Sequence, residues 1–405
     1  MSTPRKTPPE RDQDRHEIVS KMEPLRVELR VLDDLALALA QKAAAFRSSL
    51  PPSLVDPLAG LVRSTNCYYS NLIEGRNTLP VDIERALRKN YSADPGKRDL
   101  QLEAAAHIAV QEWIDRGGLP GPPSSVESIC EIHRRFCAAL PEELLWVENP
   151  DTGKRLRVVP GELRTHDVRV GRHEAISPGA VPRFLERFST VYGGLGDMDT
   201  IVATAAAHHR LVWIHPFTDG NGRVARLVSH AMLQDKLKSG ALWSVARGLA
   251  RSVEEYKAHL QACDEPRRGD RDGGGNLSEA ALLDFTRYFL ERSIDQVDYM
   301  KGLMQPATLR ERLVAWLDGE VRAKRLNHNA RSIVEVVLVR HELPKMELPA
   351  VTGLVERQAR RVAKELTDLG VLIADTPASP LKLGFPPALA PNWMPNLYPT
   401  GPAGG

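Results

Sequence analysis

The sequence of 405 residues is poor in the features that would assign it quickly to a class of protein. It has four cysteines and no C-x-x-C pair, so we expect neither a disulfide framework nor a zinc site. The net charge of +2 argues against a protein whose main role is to bind polyanions. The phosphate-binding motif G-x-x-x-x-G-K-[ST] is absent, which argues against a P-loop enzyme.

Long hydrophobic runs are also missing. Residues 1–12 have no apolar core, so we expect no signal peptide and a disordered tail over residues 1–15. The apolar run 35–39 is far too short to cross a membrane. Cys130 and Cys137 are seven residues apart on one helical face, which is typical of buried free thiols. We therefore expect a cytoplasmic protein that does not associate with membranes.

What the sequence does contain is helical periodicity over most of its length, which predicts a mainly α protein. Residues 150–177 differ, because two β-rich segments, 155–159 and 168–171, lie on either side of the turn-like Pro160-Gly161-Glu162, and we interpret them as a β-hairpin or flap. The predicted units are a tail at 1–15, an N-terminal helical region at 16–98, a helical core at 99–305, a small C-terminal domain at 306–388 and a flexible tail at 389–405.

The most informative stretch is His215-Pro-Phe-Thr-Asp-Gly-Asn-Gly-Arg-Val-Ala-Arg226, at the predicted junction of two helices. A Gly-Asn-Gly turn before a helix directs free backbone N–H groups at one point, which favours phosphate. Arg223 and Arg226 share a helical face and can bind phosphates in a bidentate manner. Asp219 can hold Mg²⁺, and His215 can accept a proton from a hydroxyl group. The stretch therefore predicts a site for a polyphosphate, a metal and a hydroxyl nucleophile.

This pattern, H-P-F-x-D-G-N-G-R-x-x-R, resembles the signature of the Fic family, and the resemblance covers about residues 60–300. It implies a Fic-type helical bundle with a flap, an active site that binds ATP and Mg²⁺, and transfer of AMP to a Ser, Thr or Tyr hydroxyl of a target protein. His215 is then the base and Asp219 the metal ligand. The implied ATP-binding residues are Thr218, Gly220, Asn221, Gly222, Arg223, Arg226 and Tyr256. Tyr256 stands where many members carry an aromatic residue beside adenine, although it fits a core position equally well.

The predicted flap has a counterpart in the family, where a hairpin before the signature aligns the target by strand addition. Residues 161–171 match that hairpin, and an ordinary hairpin is the alternative. The implied docking residues are Arg164, Val168, Arg169 and Val170.

A possible inhibitory segment lies upstream, in Tyr68-Tyr-Ser70-Asn-Leu-Ile-Glu74-Gly75. Ser70 and Glu74 are four residues apart and share a helical face. The segment resembles the family's inhibitory motif, [ST]-x-x-x-E-[GN]. The resemblance implies that Glu74 pairs with Arg226 and takes the place of the γ-phosphate. An alternative is that Glu74 positions a water and that the same site removes AMP.

The C-terminal residues 306–388 resemble a winged-helix domain. Residues 354–369 form an amphipathic helix whose outer side carries Arg357 to Lys364, and two strand-like pieces follow it. The stretch 331–385 has a net charge of about +1, less than dedicated DNA-binding domains usually carry. DNA binding, protein docking and dimerisation all remain open for this domain.

The sequence as a whole favours a Mg²⁺- and ATP-dependent protein adenylyltransferase that is inhibited by its own N-terminal helix and can modify itself. The alternatives are removal of AMP, transfer of another nucleotide or phosphate-containing group, and a nucleotide-sensing DNA-binding regulator. The sequence leaves the target protein and the oligomeric state open, a homodimer included.

Overall fold

The structure is a computed structural model that describes residues 13–148 and 153–399. Within them the fold is mainly α-helical, as the sequence predicts, with three short two-stranded sheets. The first eight helices are α1 Asp33–Ser48, α2 Pro52–Ile73, α3 Pro80–Leu87, α4 Pro95–Asp115, α5 Val126–Ala138, α6 Val181–Tyr192, α7 Asp197–Ile214 and α8 Asn221–Leu237. The others are α9 Val245–Ala250, α10 Val253–Asp264, α11 Glu279–Leu303, α12 Pro306–Arg322, α13 Ala330–Arg340, α14 Leu348–Thr352 and α15 Glu356–Asp368. None of the helices in these described ranges combines the length and the apolar character that crossing a membrane requires.

Helices α7 and α8 form the centre of the molecule. Almost every side chain of α7 from Thr200 to Ile214 is buried, because small and apolar residues cover the helix on all sides. Helix α8 lies against it along its length, and α1, α6, α10 and α11 contact α7 from outside. The loop between the two central helices, residues 215–220, therefore lies in the interior of the bundle.

The strands pair differently from the prediction. Strand β1 Trp146–Glu148 pairs antiparallel with β2 Arg155–Arg157, and β3 Arg169–Val170 pairs with β4 His173–Glu174. The predicted pairing of 155–159 with 168–171 is therefore wrong. The reason is Gly171, whose φ of +58° lets the chain reverse within two residues so that β3 pairs with the strand that follows it.

The C-terminal domain contains α13, α14, α15 and the antiparallel pair β5 Leu372–Ile373 and β6 Lys382–Leu383. A β-bridge between Leu343 and Leu381 adds a third short segment to this pair. The apolar face of α15, which includes Val362 and Leu366, is buried against the domain. The helices and strands follow in the order that the sequence predicts, and the assignment as a winged-helix domain stays a prediction.

The two predicted tails are more ordered than expected. Residues 1–12 lie outside the described part of the chain, but Asp14 forms an ion pair with Arg183 at 2.7 Å and Arg15 forms one with Asp167 at 2.9 Å. A tail that extends to residue 15 is therefore wrong for its last residues, because two ion pairs attach them to the structure that surrounds the flap.

Residues 390–399, which we call the C-terminal strap, correct the prediction of a flexible tail over 389–405. Trp393, Met394, Leu397 and Tyr398 are buried, and the Trp393 ring lies 4.9 Å from that of Trp316 on α12 in an edge-on arrangement. The high proline content suggested a loose segment, but four large apolar side chains hold it against the helices. Residues 400–405 of that predicted tail lie outside the described residues.

The strap reaches back to the N-terminal part of the chain. The Tyr69 hydroxyl on α2 donates a hydrogen bond to the Leu397 carbonyl at 3.0 Å, and the Tyr398 ring meets the Tyr68 ring at 5.1 Å. On α9, Arg247 donates to the Asn396 carbonyl at 2.5 Å. The strap therefore lies between α2 and the helices that follow the central pair.

Candidate active site

The loop between α7 and α8 is shaped by two residues in the left-handed backbone region. His215 ends α7 with φ of 51° and ψ of 62°, and Gly220 precedes α8 with φ of 81°. The glycine adopts this conformation at little cost, whereas a histidine needs support from its surroundings. The N-cap residue of α8 is Gly220, which has no side chain to accept from the first-turn N–H groups, and free N–H groups of this kind attract an anion.

Asn221 and Phe217 brace the loop from inside. The Asn221 side chain accepts a hydrogen bond from the Phe217 N–H at 2.9 Å and donates one to the Phe217 carbonyl at 2.8 Å. The Phe217 ring is buried and stacks on the His133 ring at 3.9 Å. The side chain of Asn221, predicted to hold phosphate, is therefore engaged in fixing the loop, and its contribution to an anion site is its backbone position at the start of α8.

His133, on α5, was missed by the sequence analysis. Its Nδ1 accepts a hydrogen bond from the Gly161 N–H at 2.9 Å, so it connects the loop under Phe217 to the segment that leads into the flap. Burial lowers the pKa of His133 to about 4, so the ring is neutral near pH 7. Nothing in the local sequence signals this role, because the partners of His133 lie about 30 and 80 residues away along the chain.

Arg226 pairs with the carboxylate that the sequence predicts. Its Nη2 lies 2.5 Å from Glu74 Oε1 at the end of α2, and its Nε donates a hydrogen bond to Ser70 Oγ at 2.8 Å. Burial disfavours the charged form of Glu74, but Arg226, Arg223 and Arg76 together outweigh burial and hold the pKa of Glu74 below its ordinary value. The ion pair is therefore charged near pH 7 and holds the end of α2 against α8.

Gly222 allows this carboxylate to reach the helix. A Cβ at residue 222 would collide with the Glu74 carboxylate, so any other side chain would displace Glu74. The Glu74 carboxylate, at the end of α2, thus lies at the N-terminus of α8, where backbone N–H groups and the helix dipole attract an anion. The carboxylate lies beside Gly222 and Arg226 in the first turns of α8.

Arg223 lies one turn before Arg226 and faces different partners. Its guanidinium carbon lies 4.8 Å from the centre of the Phe136 ring, Nη2 lies 3.4 Å from Asp219 Oδ2, and Nη1 lies 3.6 Å from Glu103 Oε2. Glu103, on α4, is buried and also pairs with Arg76, two residues after Glu74. The sequence analysis missed Glu103, because nothing near it along the chain indicates that α4 contacts the signature.

His215 and Asp219 differ in burial, and the roles of base and metal ligand stay predictions for them. Burial, and after it the charge of Arg164, lowers the pKa of His215 to about 4, so the imidazole is neutral and able to accept a proton at pH 7. The Asp219 side chain is 42% exposed, and the neighbouring Thr218 is half-buried. The described residues include no cluster of three or more His, Cys, Asp or Glu side chains that could hold a metal ion.

The predicted docking residues of the flap separate into two groups. Val168, Arg169 and Val170 belong to the hairpin, where Val170 is 43% exposed at the tip. Arg164 does not belong with them, because it is buried and donates hydrogen bonds to main-chain carbonyls, including that of His215 at 2.7 Å. A docking role for the Arg164 side chain is therefore wrong: the side chain points into the molecule instead of towards a target.

Tyr256 is likewise an interior residue. It is 2% exposed, its hydroxyl lies 2.7 Å from His208 Nε2, and its ring lies near that of Phe285. The structure therefore places Tyr256 in the core, the second of the two positions that the sequence allowed, beneath Arg226 and not at the surface of a cavity.

A cavity of about 510 Å³ lies between the β3–β4 hairpin and α10. Val170 and His173 of the hairpin, Trp213 of α7, and Leu260 and Asp264 of α10 line it. On one side the cavity is lined by Trp213, two residues before His215. On the other side it is lined by α10, the second helix after α8 in the sequence. A flat, partly apolar ligand could enter between the hairpin and this helix.

Residues 123–233 match the family model described as the Fic/DOC family. This part of the chain is thus similar to a Fic domain. The matched range includes His133, the flap, the signature loop and most of α8.

Several relatives of the Fic domain are named enzymes. Over 177 residues the chain is 31% identical to the protein adenylyltransferase fic-1 of Caenorhabditis elegans, covering 41% of this chain and 30% of that protein. It is 30% identical over 174 residues to the protein adenylyltransferase Fic of Nematostella vectensis, covering 41% of this chain and 36% of that protein. The chain thus spans about a third of the length of these curated relatives.

A solved structure resembles almost the whole chain. The crystal structure of a Fic family protein from Desulfovibrio desulfuricans superimposes with a TM-score of 0.53, covering 89% of this chain and 98% of that one. The sequences are 15% identical, so this similarity concerns the fold.

Proposed function

We propose that this protein transfers AMP from ATP to a hydroxyl side chain of a target protein and that Glu74 holds it inactive. The observation that carries the proposal is the Glu74 carboxylate at the N-terminus of α8, paired with the buried Arg226. A site that attracts the carboxylate of its own chain also attracts the phosphates of a nucleotide. The names of the relatives, protein adenylyltransferases, support the same activity.

The chemistry of the transfer requires three contributions from the chain. The target hydroxyl attacks the α-phosphorus of ATP, the bond from that phosphorus to the oxygen of the β-phosphate breaks, and pyrophosphate leaves. His215 accepts the hydroxyl proton, for which its neutral ring is suited. The first turn of α8 and the guanidinium of Arg223 balance negative charge on the phosphates.

We also propose that Asp219 holds Mg²⁺. Its exposed carboxylate lies at the mouth of the anion site beside Arg223, and Mg²⁺ usually keeps one or two carboxylates while phosphates and waters supply the rest. The ion would neutralise charge on the bound phosphates. The fit is chemical: a single acidic side chain is enough because the substrate itself carries oxygen ligands.

For the nucleoside we propose the cavity between the β3–β4 hairpin and α10. Leu260 and Trp213 supply apolar surface there, and Asp264 supplies an acceptor. This replaces Tyr256, which is buried, as the candidate contact to the base. The target peptide would then align along the exposed hairpin through main-chain pairing.

Removal of AMP from a modified protein is the second candidate. It is favoured by the Glu74 side chain, which remains 36% exposed beside the anion site and could hold a water molecule there. For the C-terminal domain we propose docking of a protein or DNA partner. The four free cysteines support a reducing compartment such as the cytoplasm.

The proposed transfer can be tested with the Glu74→Gly variant. We expect its self-labelling from ATP labelled in the α-phosphate, with Mg²⁺, to exceed that of the parent by about 10- to 100-fold, the effect of losing an inhibitory interaction of about 1 to 3 kcal/mol. The Glu74→Gly, His215→Ala double variant is the matched control and should not label. Equal labelling of parent and Glu74→Gly protein would contradict inhibition by Glu74.

The same preparations separate the two directions of reaction. Labelled Glu74→Gly protein, freed of nucleotide, should keep its label if Glu74 serves only as a brake. If the parent protein instead removes the label from this product faster than the His215→Ala protein does, AMP removal is the main activity. Mass spectrometry of the labelled chain identifies the modified hydroxyl.

A further inference from the structure

We propose that Arg164 is a positioning residue, which holds the main chain on both sides of His215 so that its ring stays in place for proton transfer. The inference rests on the proposed function of His215 as the base. It differs from the docking role that the sequence suggested for Arg164, because it assigns the residue to the reaction centre and not to the target.

The contacts of Arg164 surround the histidine. Its Nε donates to the His215 carbonyl at 2.7 Å, its Nη2 lies 3.4 Å from the Ile214 carbonyl, and its backbone N–H donates to the Pro216 carbonyl at 2.9 Å. Three consecutive carbonyls, those of residues 214 to 216, therefore accept hydrogen bonds from one residue. No other residue in the described chain has this relation to the signature loop.

The last carbonyls of α7 need such a partner. A helix leaves its final carbonyl groups without intrahelical donors, and they carry partial negative charge. The guanidinium of Arg164 supplies both donors and positive charge at this point. Within the described residues it has no carboxylate within ion-pair distance, so its hydrogen bonds go to carbonyls alone.

These bonds compensate for the backbone conformation of His215. A residue other than glycine in the left-handed region costs about 1 to 2 kcal/mol, and it persists where surrounding contacts impose it. Without Arg164 the carbonyls of residues 214 and 215 would lose their donors, and the turn would be free to relax. The imidazole would then move relative to the anion site at the start of α8.

Arg164 also connects this turn to the flap. Its Nη1 donates to the His166 carbonyl at 2.9 Å and its Nη2 to the Ile176 carbonyl at 2.5 Å, on the two sides of the β3–β4 hairpin. The base of the flap and the turn at His215 are therefore held by one side chain. The target hydroxyl and its base are positioned relative to each other through it.

The charge of Arg164 has a second effect on the same residue. After burial, it is the largest cause that lowers the pKa of His215, and His173 acts in the same direction while Asp219 opposes both. Because the folded-state pKa is about 4, the imidazole remains neutral from neutral pH down to about pH 5. Loss of the Arg164 charge should therefore raise the pKa of His215 towards its ordinary value of about 6.5.

The test uses the full chain with Glu74→Gly as the parent and compares Arg164→Met with Arg164→Lys. We expect Arg164→Met to lower kcat for self-labelling by about 100-fold, the effect of a displacement of about 1 Å at a reacting group, with KM for ATP changed less than about threefold. Arg164→Lys keeps the charge but cannot reach all the carbonyls, so its kcat should lie between that of the Glu74→Gly parent and that of Arg164→Met. Arg187→Met, at a surface arginine of α6 that pairs with Glu23, is the matched control and should behave as the parent.

The pH profile distinguishes this role from a merely structural one. At pH 5.5 the parent should keep at least half of its rate at pH 7.5, whereas Arg164→Met should keep a smaller fraction of its own, because loss of the Arg164 charge raises the pKa of His215 while burial still lowers it. NMR titration of the His215 ring, assigned with His215→Ala, reports the same shift without any turnover.

Two results would overturn the proposal: an unchanged kcat for self-labelling in folded Arg164→Met, or a pH profile and a His215 titration in that variant that match those of the parent. If Arg164→Met does not fold, Arg164→Lys decides in the same way, because unaltered kcat in that variant excludes a need for the full set of bonds. If the Glu74→Gly parent does not label at all, the adenylyltransferase proposal fails, and the NMR titration still decides whether Arg164 controls His215.

Discussion

Helices α8 and α15 both carry closely spaced basic side chains, and they use them in different ways. On α8, Arg223 and Arg226 are buried and contact carboxylates of other helices, Glu103 and Glu74. On α15 the basic side chains are 63 to 83% exposed, and they pair four residues along the same helix: Arg360 with Glu356, Arg361 with Glu365 and Lys364 with Asp368.

The basic side chains of the two helices differ in solvent exposure and in whether their carboxylate partners lie on the same helix or on another element. An exposed pair within a helix is screened by water and adds a few tenths of a kcal/mol. A buried guanidinium that faces another element holds that element in place, because its loss leaves a carboxylate unpaired away from water. Sequence spacing alone makes the two helices look alike, and only the environment of each arginine separates a site from a solvated face.

The largest test of this contrast replaces one arginine from each helix. In the Glu74→Gly background we expect Arg226→Met to lower self-labelling by about 100-fold, because a buried donor to the nucleotide phosphates is lost. Arg360→Met should leave the rate unchanged, since its side chain faces water and Glu356. Initial rates of label incorporation measure both, and comparable losses in the two variants would remove the distinction.

A double-mutant cycle measures the same contrast in stability. We expect a coupling free energy of about 2 kcal/mol between Glu74 and Arg226, below that of a fully buried pair because Glu74 is partly exposed, and about 0.3 to 0.5 kcal/mol between Glu356 and Arg360. Because the pKa of Glu74 is held below its ordinary value, its coupling is complete above about pH 4.5 and declines as the pH falls further. Urea unfolding of Glu74→Gln, Arg226→Met and the double variant provides the values.

The smallest effect concerns nucleic acid. With most cations of α15 neutralised within the helix, we expect replacement of Arg357, Arg360, Arg361 and Lys364 by Gln to change the affinity of the full chain for duplex DNA by less than about twofold at physiological salt. Fluorescence anisotropy at several salt concentrations measures this. A steep salt dependence that the substitutions abolish would instead assign DNA recognition to α15.

The sequence predicted the parts of the site that a local pattern encodes. The signature fixes His215, Asp219 and the arginines relative to one another within 12 residues, and the Ser70 and Glu74 spacing gives one face of α2. The family resemblance predicted that Glu74 pairs with Arg226, 152 residues later in the sequence, and the structure has this contact at 2.5 Å. Periodicity likewise gave the helical class and the order of the C-terminal elements.

What the sequence could not give are contacts that depend on packing between distant segments. Arg164 was assigned to target docking because residues 161–171 match the family's hairpin, and the fold instead directs its side chain inward to the His215 carbonyl, 51 residues later. His133 and Glu103 lie on amphipathic helices where a polar residue looks like any other. The strand pairing failed for a related reason, since the actual partner of β3 is His173–Glu174, two residues with no β-rich pattern.

The C-terminal strap is far from α2 in the sequence but contacts it in the fold. Tyr398 and Leu397 cover Tyr68 and Tyr69, one to two turns before Glu74 on the same helix. A premature stop codon or a protease cut that removed Leu397 and Tyr398 would therefore expose the tyrosine side chains of α2. Such a mutation, although it lies after the catalytic segment, would act on the helix that carries Ser70 and ends at Glu74.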